Sequence, residues 1–555
     1  MTETRIDYSL GEYQSAVKGA LKKMREDNIV YRIQAKDYTV WKPAPDEITN
    51  RLGWLDAPAE TLAKINNIRT AIELFIKDNI SDVVLLGMGG SSLAAEVFSK
   101  IFGSANGCPK LHIADTTDPA VISQLTDSLN LEKTIFLVSS KSGTTLEITS
   151  LFKYFYNLAL KKSGNSAGSR FFFITDEGSQ LIKTAESISA RHTFLNNPDI
   201  GGRYSALSLP GIVPAAIIGV DVDKLLQTVV AKAEKLLDIG ASLGSALGTL
   251  AQAGRDKLTF IIPSRWESFG DWLEQLIAES TGKEGKGILP VLNEPLTDKR
   301  VYGKDRVFVI FQNKEIAKSP QTELLTNAGH PVITISINDD YDLGAQMFSW
   351  EMATAVAAHF LGVNPFDQPG VESAKINARR IIAEYAEKKS IPEQKPALAT
   401  MQGNVYGNIN GTTPAEALTN FLKQASLGDY ISLQIYLSPS LKIDIAVSRL
   451  CEAFRQKYAL PVTFGYGPRY LHSTGQLHKG DSGNGLFIQL TQDNALDLDI
   501  PDELGKEKSS LTFGALKAAQ AQGDWQTLLD AGRRIIRFHF QANPVACVKN
   551  LTEIL

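Results

Sequence analysis

The chain has 555 residues, of which 43% are apolar, and it carries a formal net charge of −4. This length suggests about two to four domains and permits large buried cores. No basic excess is present that would indicate binding to nucleic acid or to an anionic membrane surface.

Cysteine usage and the amino terminus favour a cytoplasmic protein. The three cysteines are scattered, with neither a disulfide framework nor a metal-type spacing, and a reducing compartment is the default for such a chain. The first residues lack a basic region followed by an apolar core, so we expect no signal peptide. The most apolar stretch, Leu209 to Val222, is short and contains two prolines, and we do not expect it to span a membrane.

The pattern of apolar residues predicts an N-terminal helical extension over residues 1–60, followed by a first α/β unit over 61–222. In this unit helices alternate with short apolar strands, which is typical of a doubly wound fold with a mostly parallel sheet. The predicted strands begin at Val83, Leu111, Ile135 and Phe171.

After a long helix from Lys224, the same alternation restarts and predicts a second α/β unit over 223–390. Its predicted strands begin at Leu258, Ile288, Val307 and Val332. Residues 391–412 are rich in Pro, Gly, Asn and Thr, which indicates a linker. The order of strands and helices over 413–555 predicts a smaller C-terminal α+β domain.

A cluster of hydroxyls follows the predicted strand that begins at Ile135. This cluster precedes a segment with helical spacing from Thr144, so the hydroxyls lie at the carboxyl end of a strand and at the start of a helix. Such a position suits a phosphate, because unpaired N–H groups and the positive end of the helix dipole lie there. One or two of the hydroxyls could merely cap the helix, but five exceed that need. They are Ser139, Ser140, Ser142, Thr144 and Thr145.

The strand that begins at Val83 ends in the glycine-rich stretch Gly87–Ser92, GMGGSS. A dinucleotide fingerprint would need its third glycine at Ser92, and the chain contains no Walker A sequence. Asp115 follows the next strand, where a ribose-binding acid could lie, but acids often follow strands in such sheets. We therefore favour a close backbone approach to an anionic or sugar ligand over a nicotinamide site.

Two further stretches carry side chains suited to proton transfer. In GGRYS, Arg203 follows two glycines that make the loop flexible, and there it could polarise an oxygen anion or form a structural ion pair. In WLEQLIAESTGK, Gln275 and Glu279 fall on one helix face, and a carboxylate held beside apolar groups can act as a base near neutral pH. An exposed glutamate at a helix end is the alternative.

Near the carboxyl side, NPFDQPGVESAK carries Gln368 and Lys375, although a turn with a helix start explains most of that stretch. The polar segment YLHSTGQLHKGDSGNG holds His472 and His478, which can exchange protons near neutrality. Two histidines without a third ligand nearby make a poor zinc site, so we predict no metal.

Together these stretches resemble the phosphoglucose isomerase family, which is built from two sugar isomerase (SIS) domains. The matching motifs lie in the family's order between residues 80 and 380. They are GMGGSS, SKSGTT, GGRYS, QLIAESTGK and NPFDQPGVESAK, at Gly87–Ser92, Ser140–Thr145, Gly201–Ser205, Gln275–Lys283 and Asn364–Lys375. The flanking regions resemble the isomerase half of fused transaldolase–phosphoglucose isomerases, without a transaldolase-like portion.

The resemblance implies interconversion of glucose 6-phosphate and fructose 6-phosphate through a cis-enediol, a step of glycolysis and gluconeogenesis that needs no cofactor. It implies that Glu279 moves the proton between C1 and C2, that Arg203 stabilises the enediolate, and that Gln275 and Gln368 orient the substrate. Lys375 and a histidine would assist opening of the sugar ring. The residues that would hold or neighbour the phosphate are Gly90, Ser91, Ser140, Lys141, Ser142, Thr144 and Thr145.

The histidine departs from the family pattern. In the family it lies between the glutamate and the lysine in sequence and comes from a partner subunit, which implies at least a homodimer. Here the matching loop follows Lys375, and we choose His478 over His472 as the ring opener. Two other hypotheses stay open: a dual phosphoglucose/phosphomannose isomerase, and a non-catalytic sugar-phosphate sensor.

Overall fold

The computed structural model describes residues 5–296, 302–313, 320–391 and 394–555. Its amino-terminal part, predicted as helical, begins with a strand that joins the second sheet. Four helices follow this strand. These elements are β1 (Ile6–Ser9), α1 (Gln14–Glu26), α2 (Ile29–Gln34), α3 (Ala57–Ala63) and α4 (Ile65–Lys77).

The first sheet has five parallel strands in the order β3-β2-β4-β5-β6, with helices on both faces. This arrangement confirms the predicted doubly wound α/β layout. Its elements are β2 (Asp82–Leu86), α5 (Leu93–Phe102), β3 (Lys110–Ala114), α6 (Pro119–Ser128), β4 (Thr134–Ser139), α7 (Leu146–Ser163), β5 (Phe171–Asp176), α8 (Gln180–Ser187), β6 (His192–Asn196) and α9 (Leu209–Ile217).

The second sheet has the order β1-β10-β9-β7-β8, in which only β1 is antiparallel to its neighbour among the described residues. The long helix predicted from Lys224 is divided into two. The elements are α10 (Val222–Ala231), α11 (Ala233–Gln252), β7 (Lys257–Ile261), α12 (Glu267–Thr281), β8 (Leu289–Val291), β9 (Arg306–Gln312), α13 (Pro320–Asn327), β10 (Val332–Ser336), α14 (Asp342–Leu361) and α15 (Pro369–Lys388).

Helix α14 is buried along almost its whole length and packs closely on α11. A Cβ atom at Gly244 would lie 2.2 Å from the carbonyl oxygen of Ala353, and one at Gly240 would lie 2.3 Å from that of Ser349. The small residues of α11 therefore permit a close approach of two backbones, and this helix pair supports α12, which carries Gln275 and Glu279.

The third sheet is mixed, with the order β11-β12-β18-β15-β13-β14, and it includes the segment predicted as a linker. That segment carries β11 and β12. Strand β12 belongs to the sheet because it pairs antiparallel with β18, the last strand of the chain. The elements are β11 (Leu398–Thr400), β12 (Gly403–Tyr406), α16 (Pro414–Leu422), β13 (Tyr430–Tyr436), α17 (Leu441–Tyr458), β14 (Val462–Tyr466), α18 (Gly475–Gly480), β15 (Gly485–Gln492), β16 (Asp499–Pro501), β17 (Ser509–Thr512), α19 (Phe513–Asp530), β18 (Arg534–Phe540) and α20 (Pro544–Glu553).

The buried apolar residues form large clusters around these sheets, on the first two sheets and on one face of the third. Within the described parts of the chain, no helix has the length and apolar character needed to cross a membrane. The segment between β14 and β15 leaves the third sheet and reaches the first two, where the predicted site residues lie.

Candidate active site

The hydroxyl loop follows β4, as predicted, and leads into α7. The Ser140 hydroxyl is buried and accepts a hydrogen bond from the N–H of Gly143 at 3.1 Å. The hydroxyls of Ser142 and Thr144 lie 2.9 Å apart. Thr145 precedes the first residue of α7, but its side chain makes no capping hydrogen bond. The capping alternative therefore does not account for Thr145, and the helix start is left with a group of exposed or half-exposed hydroxyls.

Lys141 is held away from these hydroxyls by structural contacts. Its ammonium forms an ion pair with Asp176 and donates to the carbonyl oxygen of Pro198 at 2.5 Å. Burial raises the pKa of Asp176, and the Lys141 ammonium opposes that shift. Lys141 thus fixes the loop against the end of β5.

The two glycine-rich loops pack directly on each other. A Cβ atom at Gly90 would lie 2.0 Å from the carbonyl oxygen of Gly202, so no larger residue fits at position 90 without a backbone shift. The hydroxyl of Ser205 lies 3.1 Å from the carbonyl oxygen of Gly90 and 2.6 Å from that of Gly202. This contact sets the position of Arg203, which directly follows Gly202 in GGRYS.

Arg203 and Glu279 form a buried pair. Arg203 is 3% exposed and Glu279 is 4% exposed, and the Nη1 atom of the arginine lies 3.4 Å from Oε1 of the glutamate. The guanidinium also donates to the Ser280 hydroxyl at 2.8 Å and to the Pro365 carbonyl at 2.5 Å. The other carboxylate oxygen of Glu279, Oε2, is buried and has no hydrogen-bond partner among the described residues.

Gln275 lies one helical turn before Glu279 on α12 and shows the same feature. Its Nε2 donates to the backbone carbonyl of His472 at 2.8 Å, whereas its Oε1 is buried and accepts no hydrogen bond from the described part of the chain. Buried polar atoms are normally paired, so two orphaned oxygens on one helix face mark a place for donors of a bound molecule.

His472 arrives at this face from the segment after β14. Its Nε2 atom lies 2.9 Å from Oε1 of Glu147, which is in the first turn of α7. Burial alone would lower the pKa of His472, but the charge and hydrogen bond of Glu147 outweigh it and raise the pKa. Burial likewise opposes ionisation of Glu147, and His472 lowers the pKa of that carboxyl. Each partner therefore favours the charged form of the other.

A second partner fixes Glu147 from the far end of the chain. The Nε2 atom of Gln520, on α19, donates to Oε1 of Glu147 at 2.7 Å. The Oε1 atom of Gln520 in turn accepts from the Thr117 hydroxyl at 2.8 Å. The carboxylate that faces His472 thus has little freedom to turn.

One pocket joins the hydroxyl loop to the histidine. Lys375, which is exposed on α15, lines this pocket. Gln368 immediately precedes that helix, at its N-cap position. The remaining side chains around the pocket include Ser142, Thr144, Thr145, Glu147 and His472.

The structure does not bring His478 to this pocket. Its ring lies 4.9 Å from that of Phe487 and is also packed against Tyr430 and Tyr470, with Nε2 3.4 Å from the Ser432 hydroxyl. Burial lowers the pKa of His478 well below its usual range. The segment predicted as a flexible polar loop is instead a short helix, α18, anchored in the interior.

Several contacts hold this segment against the first two sheets. Arg469 forms ion pairs with Glu96 and with Asp115, whose carboxylate also accepts from the Ser92 hydroxyl. Asp115 is therefore used in a structural contact. The other contacts run from Ser473 to Glu274 at 3.0 Å, from Gln476 to the Gly282 carbonyl at 3.0 Å and from the Gly370 N–H to Gln476 at 2.8 Å.

Sequence reasoning missed Glu147 and Gln520. Glu147 immediately follows the hydroxyl loop, and a carboxylate in the first turn of a helix is a local signal that could have singled it out. Gln520 has no comparable signal, because it lies 373 residues away from Glu147 in a helix that the fold brings alongside.

The chain is similar in sequence to known glucose-6-phosphate isomerases. The family model for phosphoglucose isomerase matches residues 65–238. A glucose-6-phosphate isomerase of Rubrobacter xylanophilus is 28% identical over 413 residues, covering 65% of this chain and 94% of that protein. One of Listeria monocytogenes is 27% identical over 463 residues, covering 71% of this chain and 99% of that protein.

Solved structures show a similar fold over 69% of this chain. A crystal structure of a glucose-6-phosphate isomerase from Chlamydia trachomatis matches with a TM-score of 0.56 and 18% identity, covering 69% of this chain and 89% of that one. A hypothetical protein of Thermus thermophilus matches with a TM-score of 0.57 and 24% identity, covering 69% of this chain and all of that one. In its sequence relatives and its motifs, the chain is similar to the phosphoglucose isomerases.

Proposed function

We propose that this protein is a glucose-6-phosphate isomerase that interconverts glucose 6-phosphate and fructose 6-phosphate by proton transfer at Glu279. The observation that carries the proposal is the buried Glu279 carboxylate, with one oxygen beside Arg203 and the other without a donor. The names of its relatives, glucose-6-phosphate isomerase, support glucose 6-phosphate as substrate and isomerisation as reaction. The details below concern this chain's own residues.

In the proposed proton transfer, Oε2 of Glu279 removes the proton from C2 of the open-chain aldose. The electron pair of that C–H bond forms the C1–C2 double bond of a cis-enediol, while the carbonyl oxygen at C1 gains a proton. Return of that proton from Glu279 to C1, with loss of the proton on the C2 hydroxyl as its oxygen becomes the carbonyl, gives the ketose, so no redox partner is consumed. A positioned base contributes about 10²- to 10⁴-fold to such a reaction.

Arg203 has two proposed effects on this step. Its guanidinium is fixed by Ser280 and Pro365, so it can stabilise negative charge on the enediolate without reorganising. It also holds Oε1 of Glu279, which leaves Oε2 as the oxygen that exchanges the proton. Gln275 and Gln368 would orient the substrate hydroxyls.

The substrate phosphate would bind at the hydroxyl loop. The start of α7 presents backbone N–H groups and the positive end of a helix dipole, and Ser142, Thr144 and Thr145 add hydroxyl donors. The glycine-rich loop at Gly90 and Ser91 and the buried Ser140 hydroxyl would support the same end of the sugar phosphate.

For ring opening we propose His472 in place of His478. The pKa of His472 is raised by Glu147, so its imidazolium can donate a proton to the ring oxygen, and Lys375 lines the same pocket. His478 is packed among aromatic rings, with its Nδ1 atom buried and unpartnered within the described residues. Such a position gives a proton donor no path to a sugar.

The cytoplasmic homodimer stays a prediction. The side chains proposed here for binding and catalysis all belong to one chain, including His472, which the resemblance would assign to a partner subunit. A second subunit would therefore not be needed to complete this set of groups.

The test is a coupled assay of fructose 6-phosphate conversion to glucose 6-phosphate, run with EDTA on wild type and on Glu279→Gln. We expect turnover without added metal and a loss of at least about 10²-fold in the variant. The matched control is Glu274→Gln on the same helix. Burial raises the pKa of Glu274 to about 8, so a neutral amide there changes little at pH 7. A folded wild type that binds sugar phosphate without turnover would contradict the proposal.

A further inference from the structure

One face of the third sheet is unusually polar for a buried surface. The register aligns Tyr406 with Arg537, Arg537 with Gln489, and Gln489 with Gln434 across four strands. A second row, two residues along each strand, consists of Asn404, His539, Thr491 and Tyr436. Side chains two residues apart on a strand lie on the same face, so these rows form one polar surface.

The opposite face of the same strands is apolar. Val405, Phe538, Leu490 and Ile435 point into the cluster that α17 and α20 cover. The usual pattern for a sheet under helices is an apolar face on each side. A polar face beneath a helix costs stability unless its groups have partners, so this departure needs an explanation.

A cavity of about 600 Å³ lies against the polar face. Its wall on the far side is α19, through Ala518 and Ala521, and Gln394 and Tyr385 border it elsewhere. This volume falls in the range of small-molecule sites, roughly 300 to 1,000 Å³.

The cavity also has the position expected of a ligand site in a parallel sheet. It opens at the carboxyl ends of β13 and β15, beside Tyr436 and Thr491. The chain runs from β13 to β14 on one side, while β15 pairs with β13 on the other. Such a change of direction leaves a crevice outside the strand ends, where ligands bind in sheets of this kind.

Arg537 gives the cavity its charge. Arg537 is buried, with 8% of the residue exposed. Among the described residues, no carboxylate lies within ion-pair distance of its guanidinium. It donates to Gln489 at 2.6 Å, to Gln394 at 3.3 Å and to the Ala521 carbonyl at 3.3 Å. These three hydrogen bonds use one N–H group on each nitrogen of the guanidinium, which leaves further N–H groups able to donate to a ligand.

Burying the Arg537 charge without a counter-charge lowers the stability of the fold. Its guanidinium carbon lies 4.6 Å from the centre of the Trp525 ring, which offers a cation–π contact but no counter-charge. Burial lowers the pKa of Arg537 to about 10, opposed by the nearby Tyr436 hydroxyl. Buried charges in proteins are normally paired, so an anion in the cavity would supply the missing partner.

The other charged groups around the cavity are already engaged. The Lys517 ammonium lies 2.6 Å from a carboxylate oxygen of Asp118. At the rim, Asp493 is 3.5 Å from the ring of His539, and one oxygen of Asp497 accepts from the N–H groups of Leu498 and Gly514. Among the charged groups that line the cavity in the described residues, Arg537 is therefore the cation that has no carboxylate partner.

We propose that this cavity binds a small polar metabolite through an anionic group, phosphate or carboxylate, that pairs with Arg537. The amide and hydroxyl side chains of the second polar row would contact the rest of the ligand. The site is distinct from the candidate active site, because Ala518 and Ala521 of α19 face the cavity whereas Gln520 of that helix faces Glu147. It does not rest on the proposed isomerase activity.

The test is equilibrium dialysis with two radiolabelled probes, inorganic phosphate and citrate, at constant ionic strength. It uses the full chain carrying Thr145→Glu, because a carboxylate in the hydroxyl loop repels anions there and leaves the cavity to be measured. We expect saturable binding of at least one probe, with one equivalent per chain. Adding Arg537→Gln should weaken that binding by about 10-fold or more, since it removes the charge and the charged hydrogen-bond donors that the anion would pair with.

Two further variants keep the test decisive. Arg537→Lys retains the charge and should bind more tightly than Arg537→Gln. Ala518→Leu fills the cavity and leaves Arg537 in place, so it should also weaken anion binding. Its binding measurement replaces that of Arg537→Gln if circular dichroism shows that Arg537→Gln does not fold. Absence of saturable binding for both probes, or binding unchanged by Arg537→Gln and Ala518→Leu, would overturn the inference. Fructose 6-phosphate turnover by Arg537→Gln with Thr145 intact tests the isomerase separately.

Discussion

Nε2 of His472 lies 2.9 Å from Oε1 of Glu147, and this contact joins residues that are 325 positions apart in sequence. The histidine comes from the segment after β14 and the glutamate from the helix that begins at the hydroxyl loop. The third sheet thus contributes to a pocket that the motifs alone would assign to the first two, and the pair controls the charge of the proposed ring-opening acid.

The stability contribution of this pair should depend on pH in a defined window. His472 has a raised pKa in the folded state, so its contribution is complete below 6.5 and is lost as the pH rises through the folded value. Glu147 has a lowered pKa, so its contribution is complete above 4.5 and is lost as the pH falls through the folded value. The difference in free energy of unfolding between wild type and Glu147→Gln should therefore be largest between pH 4.5 and 6.5.

Urea unfolding of both proteins from pH 4 to pH 9 measures this difference. All other titrating groups are the same in the two proteins, so their contributions cancel.

Kinetics give a second readout of the same pair. In wild type the decline of kcat/KM at high pH should follow the raised pKa of His472, and Glu147→Gln should move that decline to lower pH. Superimposable pH profiles for the two proteins would show that Glu147 does not set the charge of His472.

Exchanging the two histidines for alanine should separate a proton donor from a structural residue. His472→Ala should lower kcat/KM for the cyclic sugar phosphate by about 10²- to 10⁴-fold, the contribution of a positioned acid. His478→Ala removes a buried ring and should lower the melting temperature while the folded fraction keeps its activity. A folded, inactive His478→Ala together with an active His472→Ala would restore the assignment made from sequence.

Much of this site was predictable because its parts are local. The hydroxyl loop, the glycine-rich loop, Arg203 and the Gln275–Glu279 pair are each set by a short motif at a strand end or on one helix face. Contacts between these loops, α12 and the segment that carries His472 bring them around one region. The two parallel sheets were predictable for the same reason, since alternating apolar strands and helices are a local pattern.

What the sequence did not reveal depends on contacts between distant segments. His472 and His478 have the same residue type in the same polar stretch, and only the packing of α18 decides which one is enclosed by Tyr430, Tyr470 and Phe487. Residues 391–412 have the composition of a linker, yet β12 is held in place by β18, which follows it by more than a hundred residues. Composition carries no signal for such a pairing.

The hydroxyl loop should determine affinity for the phosphate group. Removing the hydroxyls in Ser142→Ala and Thr145→Ala should raise KM for fructose 6-phosphate by roughly 10-fold each with a smaller change in kcat, because a hydrogen bond to a charged group contributes about 1.5 to 3 kcal/mol. Ser128→Ala is the matched control: this exposed hydroxyl on α6 bonds to the Leu125 carbonyl, away from the pocket. Equal KM values for all three variants would remove the loop from phosphate binding.

The contact between the two glycine-rich loops permits the sharpest test of how Arg203 is positioned. Gly90→Ala would place a Cβ atom 2.0 Å from the carbonyl oxygen of Gly202, so the two backbones must separate and Arg203 must shift with its loop. Misplacement of a catalytic group by about 1 Å can reduce activity by about 10²-fold, so we expect a loss of that order in kcat for fructose 6-phosphate together with a lower melting temperature.

Gly202→Ala provides the matched control for this prediction. Gly202 does not adopt a positive φ, and a Cβ atom there would meet no heavy atom within 4 Å, so the variant should fold and turn over substrate like wild type. The two substitutions add the same methyl group to facing sides of one contact, and only the direction in which that group points differs. If Gly90→Ala retained full kcat, or if Gly202→Ala lost as much as Gly90→Ala, the packing of these loops would not be what positions Arg203.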